Sequence, residues 1–84
     1  MKIVFDDNKR QSNVDKHGLD FADLTLEFFA NSLVVAAKLR RMKAIGAFRD
    51  GTISVVFFRL GSEGISVVSM RPASKLERKL YVRL

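Results

Sequence analysis

Cysteine and tryptophan are absent from this sequence of 84 residues, and proline, histidine and tyrosine each occur once. Without cysteine there is no disulfide framework and no thiolate metal site. A secreted domain this small usually needs such staples, so the sequence points to a reducing, cytoplasmic setting. The longest uninterrupted apolar run is Leu33–Ala37, far below the roughly 20 residues that span a bilayer. The apolar stretch at Met1–Phe5 is too short for a signal peptide. No P-loop, no glycine-rich dinucleotide fingerprint and no G-x-S-x-G elbow is present, and the single histidine leaves no clustered ligand set for a metal or other cofactor.

What is present is a globular composition, with 48% hydrophobic and 29% charged residues, long enough for one domain over residues 1–84. The net charge is +6 and unevenly placed. Residues 1–37 hold four basic and six acidic side chains, net −2; residues 38–84 hold eleven basic and three acidic, net +8. A basic half of this kind fits a polyanionic partner, nucleic acid or an acidic protein, or simply a solvated basic surface.

The pattern along the chain is α+β. Met1–Phe5 reads as a short strand. Asp6 or Asp7 can cap a polar helix that ends at His17, with Gly18 as its terminating residue. Asp20 can cap a second helix whose Phe21, Leu24 and Phe28 share one stripe until Asn31-Ser32 breaks it. Leu33–Ala37, Met42–Phe48, Ile53–Phe58 and Ile65–Met70 follow as strands with short links, which predicts an antiparallel meander of four. Ser74-Lys75-Leu76-Glu77 has the form of a capping box, opening a C-terminal helix with Leu76 and Leu80 expected against the sheet.

Candidate functional residues are mostly cations. Lys38, Arg40, Arg41 and Lys43 straddle the first turn of the meander. Arg71, Lys75, Arg78, Lys79 and Arg83 lie on or beside the last helix. Arginine binds phosphate bidentately and keeps its charge, which suits a phosphodiester. Arg71 has no capping or core duty in this reading. Glu77 is either a capping residue or a general base, the capping role being the simpler; Tyr81 is a stacking or proton-donating group or a rim residue. Lys9, Asn13 and His17 share a face of the first helix, and His17 at the helix end either titrates in catalysis or offsets the helix dipole.

Three stretches together resemble one family. Phe5-Asp6, Lys9, Asn13, Lys16-His17-Gly18 and Phe21 are similar to the opening of BrnT-type toxins. Arg41 with Ile45-Gly46 resembles that family's R-x-x-x-I-G strand, and Val68–Ala73 with Glu77-Arg78 and Tyr81 resembles its closing motif. Lys38-Leu39-Arg40 stands where family members often have a longer acidic or His-containing loop.

The resemblance implies a RelE-like fold and an endoribonuclease toxin of a type II toxin–antitoxin pair. Such a toxin cuts RNA to inhibit translation and growth, is neutralised by a ribbon-helix-helix antitoxin, and meets operator DNA only through it. On that footing Arg41, Arg71 and Arg78 are the expected phosphate clamp, His17 or Tyr81 the acid, and Glu77 or Lys9 the base. Lys9, Lys38, Arg40, Lys43 and Lys75 are expected to grip RNA, with no metal or cofactor required. The alternative is a non-catalytic basic module that binds nucleic acid or an acidic partner.

Overall fold

The computed structural model describes residues 1–83. Strand β1 (Lys2–Val4) leads directly into helix α1 (Asp7–His17). Asp6 is the N-cap, its carboxylate accepting from the Lys9 amide, and Asp7, Lys16 and His17 complement the helix dipole at its two ends. Gly18 closes the helix at φ 68°, a left-handed conformation that only glycine adopts without steric cost, and its amide donates to the Val14 carbonyl. Asn13 is the one buried residue of α1.

The second helix divides into two pieces, contrary to the sequence expectation. Asp20 caps only a single 3₁₀ turn, Phe21–Asp23, and the backbone extends again at Leu24. Thr25 then caps α2 (Leu26–Ala30) by accepting from the Phe28 amide. A threonine side chain bonded to the backbone ahead of it favours a fresh helix start over a helix interior. Phe21, Leu24 and Phe28 are nevertheless all buried, as the stripe required.

The remaining strands, β2 (Leu33–Ala36), β3 (Met42–Phe48), β4 (Gly51–Leu60) and β5 (Gly64–Pro72), form the expected meander. Strand β1 adds to it in parallel beside β5, making a mixed sheet of five strands in the order β1-β5-β4-β3-β2. Val56 faces Ser69 while Phe57 faces Val67, so Val68 is the extra residue of a β-bulge in β5.

One face of the sheet carries the core. Phe21, Leu24, Phe28 and Phe29 pack onto Ala44, Ile53, Val55, Phe57, Ile65, Val67 and Met70. Phe29 meets Phe57 edge to face at 5.2 Å, and Phe28 meets Phe48 at 6.4 Å. Gly46 allows this approach, because a Cβ there would lie 3.0 Å from the Phe28 ring.

The last helix, α3 (Lys75–Val82), covers part of the opposite face. Its capping box is present in full. Leu76 and Leu80 do not face the sheet as the sequence suggested: they are 67% and 43% exposed, and the buried position is Glu77. The helix is turned about its axis by the polar partners Glu77 finds below it, described next.

Candidate active site on the open face of the sheet

Strand register places the side chains of the second face in rows. Ser66 and Phe58 make one row, with Arg41 stacked over Phe58, and Ser69, Val56, Lys43 and Val35 make the next. Arg71, Ser54, Ile45 and Leu33 make the third. Helix α3 covers the third row, where Ser54 and Ile45 are fully buried. The other two rows are half-buried and open to one side. Arg41, Lys43 and Arg71, named from the sequence, thus lie on one surface.

Arg41 lies flat against this surface, its guanidinium 5.5 Å from the centroid of Phe58. Its Nε is buried with no hydrogen-bond partner among the described residues.

Glu77 is the hub of the covered end. Arg71 donates to it through both outer nitrogens, Nη1 to Oε1 at 2.8 Å and Nη2 to Oε2 at 3.0 Å. Lys43 Nζ stands 2.9 Å from Oε2, Ser54 Oγ donates to the same oxygen at 3.4 Å, and the Ser74 amide donates to Oε1 at 2.8 Å. The Arg71 fork above all, with help from Lys43 and Ser74, outweighs burial and holds this carboxyl far below the usual carboxylate range. Reciprocally, the Glu77 carboxylate raises the Arg71 guanidinium further. Two cations around one carboxylate leave the cluster net positive. Arg71 therefore does have a structural duty, tying β5 to α3, which the sequence did not reveal.

His17 and Lys9 sit elsewhere, along a groove of about 370 Å³ between α1 and β5 that Ser12, Lys16, Val68 and Ser69 also line. Its floor is Asn13, whose amide donates to the Leu19 and Met70 carbonyls and accepts from the Met70 amide. Ser69 belongs both to this groove and to the row of Val56 and Lys43, so the groove adjoins the open face. Tyr81 lines a different hollow with Asp23, Phe28, Ala47 and Arg49. Arg78 and Lys75 lie on the outer surface of α3, the Arg78 side chain donating to the Ala73 carbonyl. Lys38 and Arg40 are exposed at the β2–β3 turn, where Leu39 and Arg40 have φ values of 59° and 63°. The expected set is thus divided among the open face, the α1 groove, the outside of α3, the hollow of Tyr81 and a hairpin tip.

Sequence reading missed Ser54 and Phe58. A serine inside the apolar run Ile53–Phe58 was the available signal for the first. For Phe58 there was none, since an aromatic residue in a strand reads as core.

The model of the family described as "Ribonuclease toxin, BrnT, of type II toxin-antitoxin system" matches residues 5–77. The chain belongs to the BrnT ribonuclease toxin family. Among solved structures, its fold is similar to that of the ribonuclease toxin BrnT of Brucella abortus. The two share 53% identity and a TM-score of 0.84, over 89% of this chain and 99% of the other. No curated protein matches the chain. Membership in the BrnT family implies an antitoxin partner, as a type II system has one. No helix among the described residues is long and apolar enough to cross a membrane. The three stretches that resembled BrnT toxins fall on α1, on Arg41 with β3, and on β5 running into α3. They are the elements that build the groove and the open face.

Proposed function

We propose that the chain is a cytoplasmic, metal-independent endoribonuclease toxin that cuts RNA on the open sheet face and so inhibits translation and growth. The observation that carries this reading is the placement of Arg41, Lys43 and Arg71 on one sheet face, whose buried carboxylate, Glu77, is already saturated with donors. A phosphodiester laid across this face meets positive charge without a competing free acid. The donor set is cationic nitrogen, and no group of three or more metal-ligating side chains occurs among the described residues.

The 2′-hydroxyl of a bound nucleotide attacks the adjacent phosphorus, the P–O5′ bond breaks, and a 2′,3′-cyclic phosphate remains. Arg41 and Arg71 steady the charge that grows on the phosphoryl oxygens. The groove beside Ser69 supplies the proton transfers, with Lys9 as the base for the 2′-hydroxyl proton and His17 as the acid for the leaving oxygen. Glu77 is unsuited as a base, because proton uptake would forfeit its bonds to Arg71 and Lys43. Arg78 and Tyr81, which lie off this face, contribute to RNA contact along with Lys38, Arg40 and Lys75. A ribbon-helix-helix antitoxin neutralises the toxin and carries the pair to operator DNA.

Bulk RNA incubated with the purified chain in EDTA should yield fragments ending in 2′,3′-cyclic phosphate. Arg41→Ala should slow cleavage about 10²–10³-fold, the usual loss when one transition-state donor goes, with a melting temperature close to that of the parent. A chain that binds RNA and leaves it uncut would overturn the enzymatic reading in favour of a basic binding module. Cleavage lost in EDTA and restored by Mg²⁺ would overturn metal independence alone.

A further inference from the structure

The orientation of α3 leaves two leucines exposed for which RNA chemistry does not account. Leu76 and Leu80 lie one turn apart and exposed, and Val82 is 80% exposed beyond them. Lys79 and Arg83 run along the outer side of the two leucines, Lys75 and Arg78 lie farther round with Val82, and the single acid of the helix, Glu77, is turned inward. The outer surface of α3 therefore sets an apolar edge, Leu76 and Leu80, beside a strip of cations. The sequence of α3 is amphipathic enough to have buried Leu76 and Leu80, yet the Glu77 hub fixes the helix with them outward.

We infer that this outer face of α3 is the docking surface for an acidic, amphipathic segment of the antitoxin, which covers Leu76 and Leu80 and sets carboxylates against Lys79 and Arg83. The inference rests on the toxin reading above. A phosphate backbone answers the cations but leaves the leucines bare, whereas an acidic apolar peptide satisfies both. A second copy of this chain offers six acidic groups before residue 38, but they are dispersed over α1, the 3₁₀ turn and α2, with Leu26 the one exposed large hydrophobic side chain on those elements. Since α3 is fastened directly to Arg71 and Lys43, a partner seated on it also stands next to the open face.

The test is a titration of the full-length chain with the purified antitoxin encoded beside it, together with RNA cleavage by the free toxin. Leu76→Gln with Leu80→Gln keeps good helix formers at exposed positions, so folding and cleavage should persist. The double variant should bind the antitoxin at least about 30-fold more weakly, as loss of buried anchor residues does. Lys79→Glu, which removes no apolar contact, should weaken binding and flatten its salt dependence. Antitoxin affinity unchanged in both variants, while the parent binds tightly, would overturn the docking surface and leave the toxin reading standing. Loss of RNA binding in place of antitoxin binding would make the face an RNA surface, and altered self-association in place of either would make it a contact between copies. A parent chain that does not bind the antitoxin at all would overturn both readings together.

Discussion

Helices α1 and α3 are each fastened to β5 through one buried polar side chain, and the two fastenings use opposite chemistry. Asn13 on α1 is neutral and makes three hydrogen bonds, all to backbone, reaching Leu19 and both polar groups of Met70. Glu77 on α3 is charged and draws on Arg71, Lys43, Ser54 and the Ser74 amide. A backbone-directed amide fixes position and leaves the neighbouring side chains uncommitted, so Lys9 and His17 remain available in the groove above it. A charged hub fixes position by recruiting the cations of the proposed site into the fold. The same duty is thus separable from function on one side of β5 and bound up with it on the other.

The strongest way to break this contrast is to remove the charged hub. Glu77→Ala strands Arg71 and Lys43 and removes half of the capping box. Arg71 keeps 36% of its side chain exposed, so breaking the pair costs about 3 kcal/mol, the lower end for buried pairs, and the lost cap adds about 1 kcal/mol; together this is a fall in melting temperature of about 15–30 °C in a domain of this size. Glu77→Gln keeps the Ser74 contact but not the charge, and should fall between the parent and Glu77→Ala. A parent-like melting temperature for Glu77→Ala would mean that the cluster is a surface ion pair of little consequence. Differential scanning calorimetry measures all three.

Removing the neutral hub comes next. Asn13→Ala leaves the buried Met70 amide and carbonyl without partners and should cost about 2–3 kcal/mol. Cleavage by the fraction still folded should change little, because Asn13 bonds only to backbone. If cleavage collapses while the melting temperature holds, Asn13 belongs to the chemistry rather than to the scaffold.

How much of this was legible beforehand follows from which interactions are local. The caps at Asp6, Gly18 and Ser74, the four strands of the meander and the burial of Phe21, Leu24 and Phe28 follow from patterns a few residues long. The parallel pairing of β1 with β5 joins residues some sixty positions apart and has no local signature. The outward turn of Leu76 and Leu80 was misread because hydrophobic periodicity assumes that the apolar stripe is the buried one. Here a carboxylate with enough donors took that place. Arg41, Lys43 and Arg71 were legible as cations, but their shared surface needed the register. The separation of Arg78 and Tyr81 from them needed the helix orientation.

Acid separates the two hubs without removing either. Glu77 is held far below its ordinary range by the Arg71 fork, and Asp20, paired with Arg10 and accepting from the Ala22 amide, is lowered to about 2. A lowered carboxylate contributes stability that is complete above its unfolded value, about 4, and is lost as pH falls toward the folded value. The stability gap between the parent and Glu77→Gln should therefore be widest above about pH 5 and close as pH drops toward 2. The gap between the parent and Asn13→Ala should stay nearly constant, since an amide does not titrate. Asp20 is intact in all three proteins, so its own acid loss cancels in these differences. A Glu77→Gln gap that persists undiminished at pH 2 would show that packing, not charge, gives this residue its weight.

The smallest expected effect supplies the control, because it touches neither hub. Leu39 sits at φ 59° in the two-residue turn between β2 and β3, with the Arg41 amide donating to the Lys38 carbonyl across it. Turns with both central residues left-handed favour asparagine and glycine, and a branched side chain there is strained. Leu39 is also 78% exposed, so little packing is lost when it is replaced. Leu39→Asn should raise stability by about 0.5–1 kcal/mol, a gain of a few degrees. That gain should be the same at pH 7 and pH 3, since neither Asn13 nor Glu77 contacts the turn. It should also leave cleavage intact, because Arg41 is held from the other side by Phe58. A gain that vanished in acid would couple the turn to the Glu77 cluster through Lys43, two residues beyond Arg41, and the two fastenings would no longer be independent of the loops around them.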